Sequence, residues 1–139
     1  MTTRIRFGDT VPRWLRAHCR RWFRLLYSED WTLTVQMMDA ATMQKKYGGT
    51  TIALTATEAE HFDIAIWFAD TIKNEPLMWR TVFHELRHPF FAEVTDLFDY
   101  LWDGRRKVAK DDARKLLDAL IERKIQSDVA IIARLKGLP

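Results

Sequence analysis

The chain is poor in everything that staples or breaks a fold. It has a single cysteine, Cys19, in 139 residues, so no intrachain disulfide can form. Leu15, Trp22 and Phe23 surround that thiol in sequence, which marks it as an ordinary buried side chain; a reducing, cytoplasmic compartment is the natural expectation. Five glycines and four prolines are too few for a low-complexity or collagen-like chain. No uncharged stretch approaches the ~20 apolar residues of a membrane helix. No continuous apolar run follows Arg4 and Arg6 either, so a secretory leader is not expected. Apolar content is ample, with 47% hydrophobic residues, six Trp and eight Phe. That is enough to bury a core, and residues 1–139 show no domain boundary, repeat or low-complexity tract.

The formal net charge of +3 conceals a pattern. Residues 1–27 carry seven Arg against one Asp, residues 28–104 carry five basic and thirteen acidic groups, and residues 105–139 carry ten basic and five acidic. Solvated helix faces account for such blocks most often; a polyanion-binding surface is the functional alternative.

Hydrophobic periodicity orders the chain. Leu15, Cys19, Trp22, Phe23 and Leu26 recur at helical spacing opposite Arg13, Arg16, Arg20 and Arg24, which predicts a helix over residues 12–27 with Pro12 at its first position. Residues 31–37 alternate as a half-buried strand, followed by a less regular segment up to the turn at Gly48-Gly49. Residues 50–55 and 62–68 read as two more strands, the latter with Phe62, Ile64, Ile66 and Phe68 on one face. Asn74-Glu75-Pro76 is a break before a helix over residues 77–88. Pro89 cannot donate to the carbonyl of Glu85, so the helix must kink or restart there. Helix resumes over 90–102, with Phe90, Phe91, Val94, Leu97, Phe98 and Leu101 on its apolar side. Asp103-Gly104 makes a turn, Arg105-Arg106-Lys107 a basic connector, and residues 111–135 a last helix. The expected class is α+β: an N-terminal helix, a small three-stranded sheet, mostly antiparallel or mixed, and C-terminal helices.

One stretch names a chemistry: His84-Glu85-Leu86-Arg87-His88. Histidines four apart on a helix share a face and can bind one zinc ion, and the glutamate beside them can take a proton from water. Shuffling this composition yields the pattern in under about 1% of cases. A catalytic zinc needs a third protein ligand. His18 lies on the apolar side of the first helix and reads as a partly buried core residue. His61, at a strand entrance, is not demanded by its spacing. On the last helix, Leu117, Ile121, Ile125, Ile132 and Leu135 form a stripe with Asp128 near its centre. A carboxylate there must be paired or bind a metal. Asp128 is the preferred third ligand, with a salt-bridged core carboxylate and a differently rotated helix face as the alternatives. Glu122, at the stripe's edge, is the reserve.

These residues resemble the zincin metallopeptidases, and more narrowly the very small ones encoded by phages and prophages. Residues 81–96 are similar to their metal-binding helix and its continuation, and residues 128–135 to their terminal helix, where the acid is usually Glu. The resemblance implies one minimal zincin-like domain, with His84, His88 and Asp128 as zinc ligands and Glu85 as general base in peptide hydrolysis. Arg87 and Pro89 depart from the usual pattern, and Val94 stands where a metzincin has a further histidine. His61, Tyr100 and Arg87 are the candidate oxyanion donors. An edge strand, taken as Phe62–Phe68, would align an extended peptide. Asp96 and Asp99 would orient a ligand histidine or simply face solvent. The other reading is a small basic protein that binds nucleic acid or a partner through the first helix and Arg105-Arg106-Lys107, its metal site inactive or structural.

Overall fold

Apolar side chains three and four residues apart bury one side of the first helix, where Trp22 meets the rings of Trp79 and Phe83. The computed structural model describes residues 4–104 and 107–139. Arg105 and Arg106, most of the expected basic connector, lie outside the described residues. The chain forms two compact units, Met1–Pro89 and Phe90–Pro139.

The first unit is built on four strands: β1 (Arg4–Phe7), β2 (Thr32–Met38), β3 (Ala53–Glu58) and β4 (Asp63–Ala69). Their order is β1-β2-β4-β3, with β1, β2 and β4 parallel and β3 antiparallel. The class is α+β as expected, with one strand more than the sequence pattern suggested. β1 escaped because four residues alternating Arg4, Ile5, Arg6 and Phe7 are too few for a periodic signal, and pairing with β2 defines them. β3 begins at Ala53, later than expected, because the preceding residues belong to a turn. Gly48 has φ +112°, and Thr51 donates from its backbone N–H to Gly48 and from its hydroxyl to Tyr47.

Two further expectations are corrected. Phe62 is not in the strand: it closes the turn after Ala59–His61 in left-handed conformation, φ 54°, and stays 48% exposed against Trp31. Nor is β4 an edge strand; it lies between β2 and β3, and the edges are β1 and β3. The irregular segment before Gly48 contains a helix, α2 (Ala40–Tyr47), started by Asp39, whose carboxylate accepts from the backbone N–H of Thr42 at 2.9 Å. That bond holds the Asp39 carboxyl below its ordinary value. Ala40 and Met43 of α2 pack with Leu54, Trp67 and Ala69.

The other face of the sheet presents Leu33, Val35, Ile64, Ile66 and Phe68, all buried. Buried with them are α1 (Arg13–Leu26) and α3 (Met78–Arg87), joined by an aromatic seam. The Trp22 ring lies 5.4 Å from Trp79 and 5.2 Å from Phe83, the latter edge to face. Both indole N–H groups in this seam are buried without an acceptor. Each costs on the order of 1–3 kcal/mol, which the burial of three large rings offsets. Cys19 sits in the same layer and is fully buried.

The second unit contains α4 (Ala92–Trp102) and α5 (Lys107–Lys136). No residue of α4 is fully buried, and its expected apolar side leaves Val94, Leu97 and Leu101 roughly half exposed. On α5 the buried residues are Ile121, Ile125 and Val129, while Leu135 is 77% exposed, so the buried stripe is turned slightly from the expected one. Arg114 bridges the helices, donating to Asp99 on α4 and to Asp118 on its own turn. Among the described residues no helix is long and apolar enough to cross a membrane.

Truncating the seam should be costly. Phe83→Ala is expected to lose about 3–5 kcal/mol of stability, measured by urea denaturation, against about 0.5 kcal/mol or less for Leu101→Ala. Burial pushes the Cys19 thiol up to about 12. At pH 8 it should therefore resist a disulfide exchange reagent in the native protein and react rapidly in denaturant.

Candidate metal centre

α3 positions the histidine pair, and Pro89 sets how that helix ends. The α-helical hydrogen bonding stops at Arg87, and His88–Phe91 forms a single 3-10 turn. His88 nonetheless keeps right-handed helical angles, φ −52° and ψ −44°. The four-residue spacing therefore still stacks the two imidazoles on one face. Their Nε2 atoms are 3.1 Å apart, with ring planes inclined at 68°. Two nitrogens bound to one tetrahedral zinc at 2.0–2.1 Å stand roughly 3.3 Å apart, so the pair matches what a shared ion requires.

The broken ladder leaves carbonyls to satisfy. Pro89 has no N–H for the Glu85 carbonyl, and the missing donor arrives from the sheet. Thr55 Oγ1 on β3 lies 3.3 Å from the Glu85 carbonyl oxygen and 2.5 Å from Glu85 Oε2. A hydroxyl has one proton, so the carboxylate takes the shorter bond and the carbonyl a shared contact. One residue later, the Tyr27 hydroxyl donates to the Leu86 carbonyl at 2.5 Å. Burial pushes the Tyr27 hydroxyl well above its ordinary value, against the opposing pull of the Arg87 charge, and so keeps it a donor. Side chains from β3 and from the end of α1 thus cap the turn that carries Glu85 and His88.

Among the described residues, one group of three possible ligands could hold a metal ion: His84, His88 and Glu122. Each offers one ligand atom, two imidazole nitrogens and a carboxylate oxygen. Asp128, preferred on the sequence, is not in this group. Its side chain is 15% exposed, as its place in the stripe suggested, and its Oδ1 lies 3.0 Å from Lys124 Nζ one turn away. The charge that seemed to need a metal has an ion-pair partner. Glu122, the reserve, takes its place in the group.

The remaining candidates sort by exposure. His61 is largely solvent-exposed and pairs with Glu58 at 3.5 Å, outside the group. His18 is half-buried edge-on to Trp14, and burial followed by the Arg21 charge lowers its pKa, which fits a core imidazole. Tyr100 is 79% exposed, and Asp99 is engaged with Arg114 and Lys110. Thr55 is the functional candidate that sequence reasoning missed. The signal was present in part: a proline four residues after Glu85 announces an orphan carbonyl, but not which hydroxyl will meet it.

Thr55→Val keeps the shape of the side chain and removes both contacts to Glu85. It should lower stability by about 1–2 kcal/mol in urea denaturation, and Thr55→Ser should recover most of that.

No protein-family model, no curated protein and no solved structure matches this chain, so the functional reading rests on the donor set and its surroundings.

Proposed function

We propose that this protein is a zincin-type metallopeptidase. In this reading His84, His88 and Glu122 hold one zinc ion, and Glu85 is the general base in peptide-bond hydrolysis. The observation that carries it is the Nε2 pair at 3.1 Å, on the same helix as a carboxylate already fixed by Thr55. Two imidazoles and one carboxylate are a borderline-soft set that suits zinc, and three protein ligands leave a coordination position open.

A zinc ion held there supplies Lewis acidity and makes water a nucleophile near neutral pH. Glu85 performs the proton transfers. Its carboxylate accepts the proton of the attacking water and returns it to the leaving amine nitrogen as the carbon–nitrogen bond breaks. Thr55 restrains Oε2 and leaves Oε1 to meet the water, so the base needs little reorganisation. Glu85 itself is not in the ligand group, which suits a proton carrier better than a ligand.

Substrate alignment falls to β3. It is the antiparallel edge strand, it carries Thr55, and among the described residues it has a neighbour on one side only. An extended peptide adding to its free edge would run beside the residue that holds the base. This replaces the assignment of that role to residues 62–68, which from Asp63 on belong to the interior strand β4.

The test begins with metal content of protein purified without a histidine tag. One zinc per chain is expected, lost in His84→Ala and in His88→Ala but retained in Glu85→Gln. Zinc affinity should drop at least tenfold in Glu122→Gln and stay unchanged in Asp128→Asn; the reverse would move the third ligand to Asp128. With a quenched-fluorescence peptide library as probe, Glu85→Gln should lower turnover by about 10²–10⁴-fold. Absence of stoichiometric zinc from the wild-type protein would sink the proposal.

A further inference from the structure

We propose that the arginine face of α1 binds the phosphodiester backbone of a nucleic acid, without reading its bases. This does not depend on the metal centre. Arg13, Arg20, Arg21 and Arg24 are all exposed, and at 100° per residue they fall within about 100° of the helix circumference. From Arg13 to Arg24 the face runs about 16 Å, the rise of roughly five phosphates along one strand of a duplex.

This face carries no counter-charge of its own. Among the described residues, none of the seven arginines from Arg4 to Arg24 has a carboxylate partner within ion-pair distance. On α5, by contrast, some charges are paired: Arg114 with Asp99 and Asp118, Lys110 with Asp99, Lys124 with Asp128. Like charges gathered without partners repel one another, and an external polyanion relieves that repulsion.

The face is also partly preorganised. Arg16 and Arg20 lie over the Phe7 ring of β1, at 5.5 and 5.0 Å from its centroid, and Arg21 lies over Trp22 at 5.1 Å. Arg16 is further fixed by donating to the carbonyls of Val11 and Gly8. Guanidinium planes held this way lose less freedom when they bind. The residue type agrees: all the basic residues before Lys45 are arginine, whose fork matches a phosphate in a bidentate manner. A membrane surface is the less favoured polyanion. Insertion requires an apolar helix face, and that of α1 (Leu15, Cys19, Trp22 and Phe23) is buried in its own unit. Arg4 and Arg6 alternate with Ile5 and Phe7, so they point to the opposite side of the sheet and add to the field rather than to the face.

The experiment is fluorescence anisotropy of the full chain with a labelled mixed-sequence DNA duplex, the matching single strand, and an RNA hairpin. Binding is expected to at least one of them, with little change when the sequence is scrambled. For a duplex, log affinity should fall with log salt at a slope of about −3 to −4 between roughly 50 and 200 mM. The triple substitution Arg13→Ala, Arg20→Ala and Arg24→Ala should cost at least tenfold at low salt and flatten the slope by about three units. The corresponding triple lysine variant should keep the slope. All three residues are exposed, and an unchanged thermal transition by circular dichroism confirms that the variants are folded. The proposal is overturned by no binding at low salt, by an alanine variant that binds as the wild type does, or by tighter binding to phosphatidylserine vesicles than to any nucleic acid.

Discussion

The carbonyl of Glu85 lacks the N–H that an unbroken α-helix would bring to it, and a side chain of β3 reaches it instead. Proline four residues on removes the N–H that would have met it. An unmet carbonyl in a half-buried turn costs on the order of 1–3 kcal/mol. Thr55 answers from β3, and the same hydroxyl reaches the Glu85 carboxylate. A defect in the backbone ladder thereby becomes a means of holding a side chain. Had the helix run on unbroken, the carbonyl would have had its own donor, and a hydroxyl at position 55 would serve the carboxylate alone.

That hydroxyl is in place only because of the strand order. β3 is antiparallel to β4 with Thr55 opposite Ile66, so Thr55 shares the face of the sheet that buries Ile64, Ile66 and Phe68. A slip of one residue would turn Thr55 to the other face and bring up Leu54 or Ala56, neither of which can donate from its side chain. On the helix side, the seam of Trp22, Trp79 and Phe83 fixes α3 against α1, and the Tyr27 hydroxyl ties the end of α1 to Leu86. The histidine pair is thus braced from two directions by groups that are not themselves ligands. Such bracing matters because metal and base geometry tolerate errors of only a fraction of an ångström.

The legible parts of this chain were those with strong periodicity. α1, β2, β4, the motif helix and the long last helix all follow from spacing. So does the histidine pair, since four residues on a helix fix a face whatever the tertiary context. The parts that escaped depend on partners distant in sequence. β1 is four residues long and is defined by pairing with β2. The edge position of β3 is a property of the sheet order, which alternation cannot reveal. α2 carried a readable signal in Asp39, three residues ahead of Thr42, hidden by two methionines and an alanine that read equally well as strand or loop. Asp128 shows the limit of arguing from an apolar stripe. Its partial burial was read well, but a lysine four residues earlier meets such a carboxylate as readily as a metal does, and the spacing already placed Lys124 there.

Charge completes the comparison between the two units. In the second, some of the basic groups of α5 find an acidic partner within a turn or across to α4. In the first, arginine is concentrated on one side of α1 while the acids, Asp9 apart, lie in later segments of the chain. The arginines nearest β1 are drawn to the electron-rich face of Phe7 instead of to a carboxylate. A cation over a ring keeps its full charge and most of its donors. A surface arranged in this way retains the capacity to bind anions that an ion-paired surface has already spent internally. The two charge patterns therefore differ: part of the charge of α5 is paired along the helix or across to α4, and the arginines of α1 have no carboxylate beside them among the described residues.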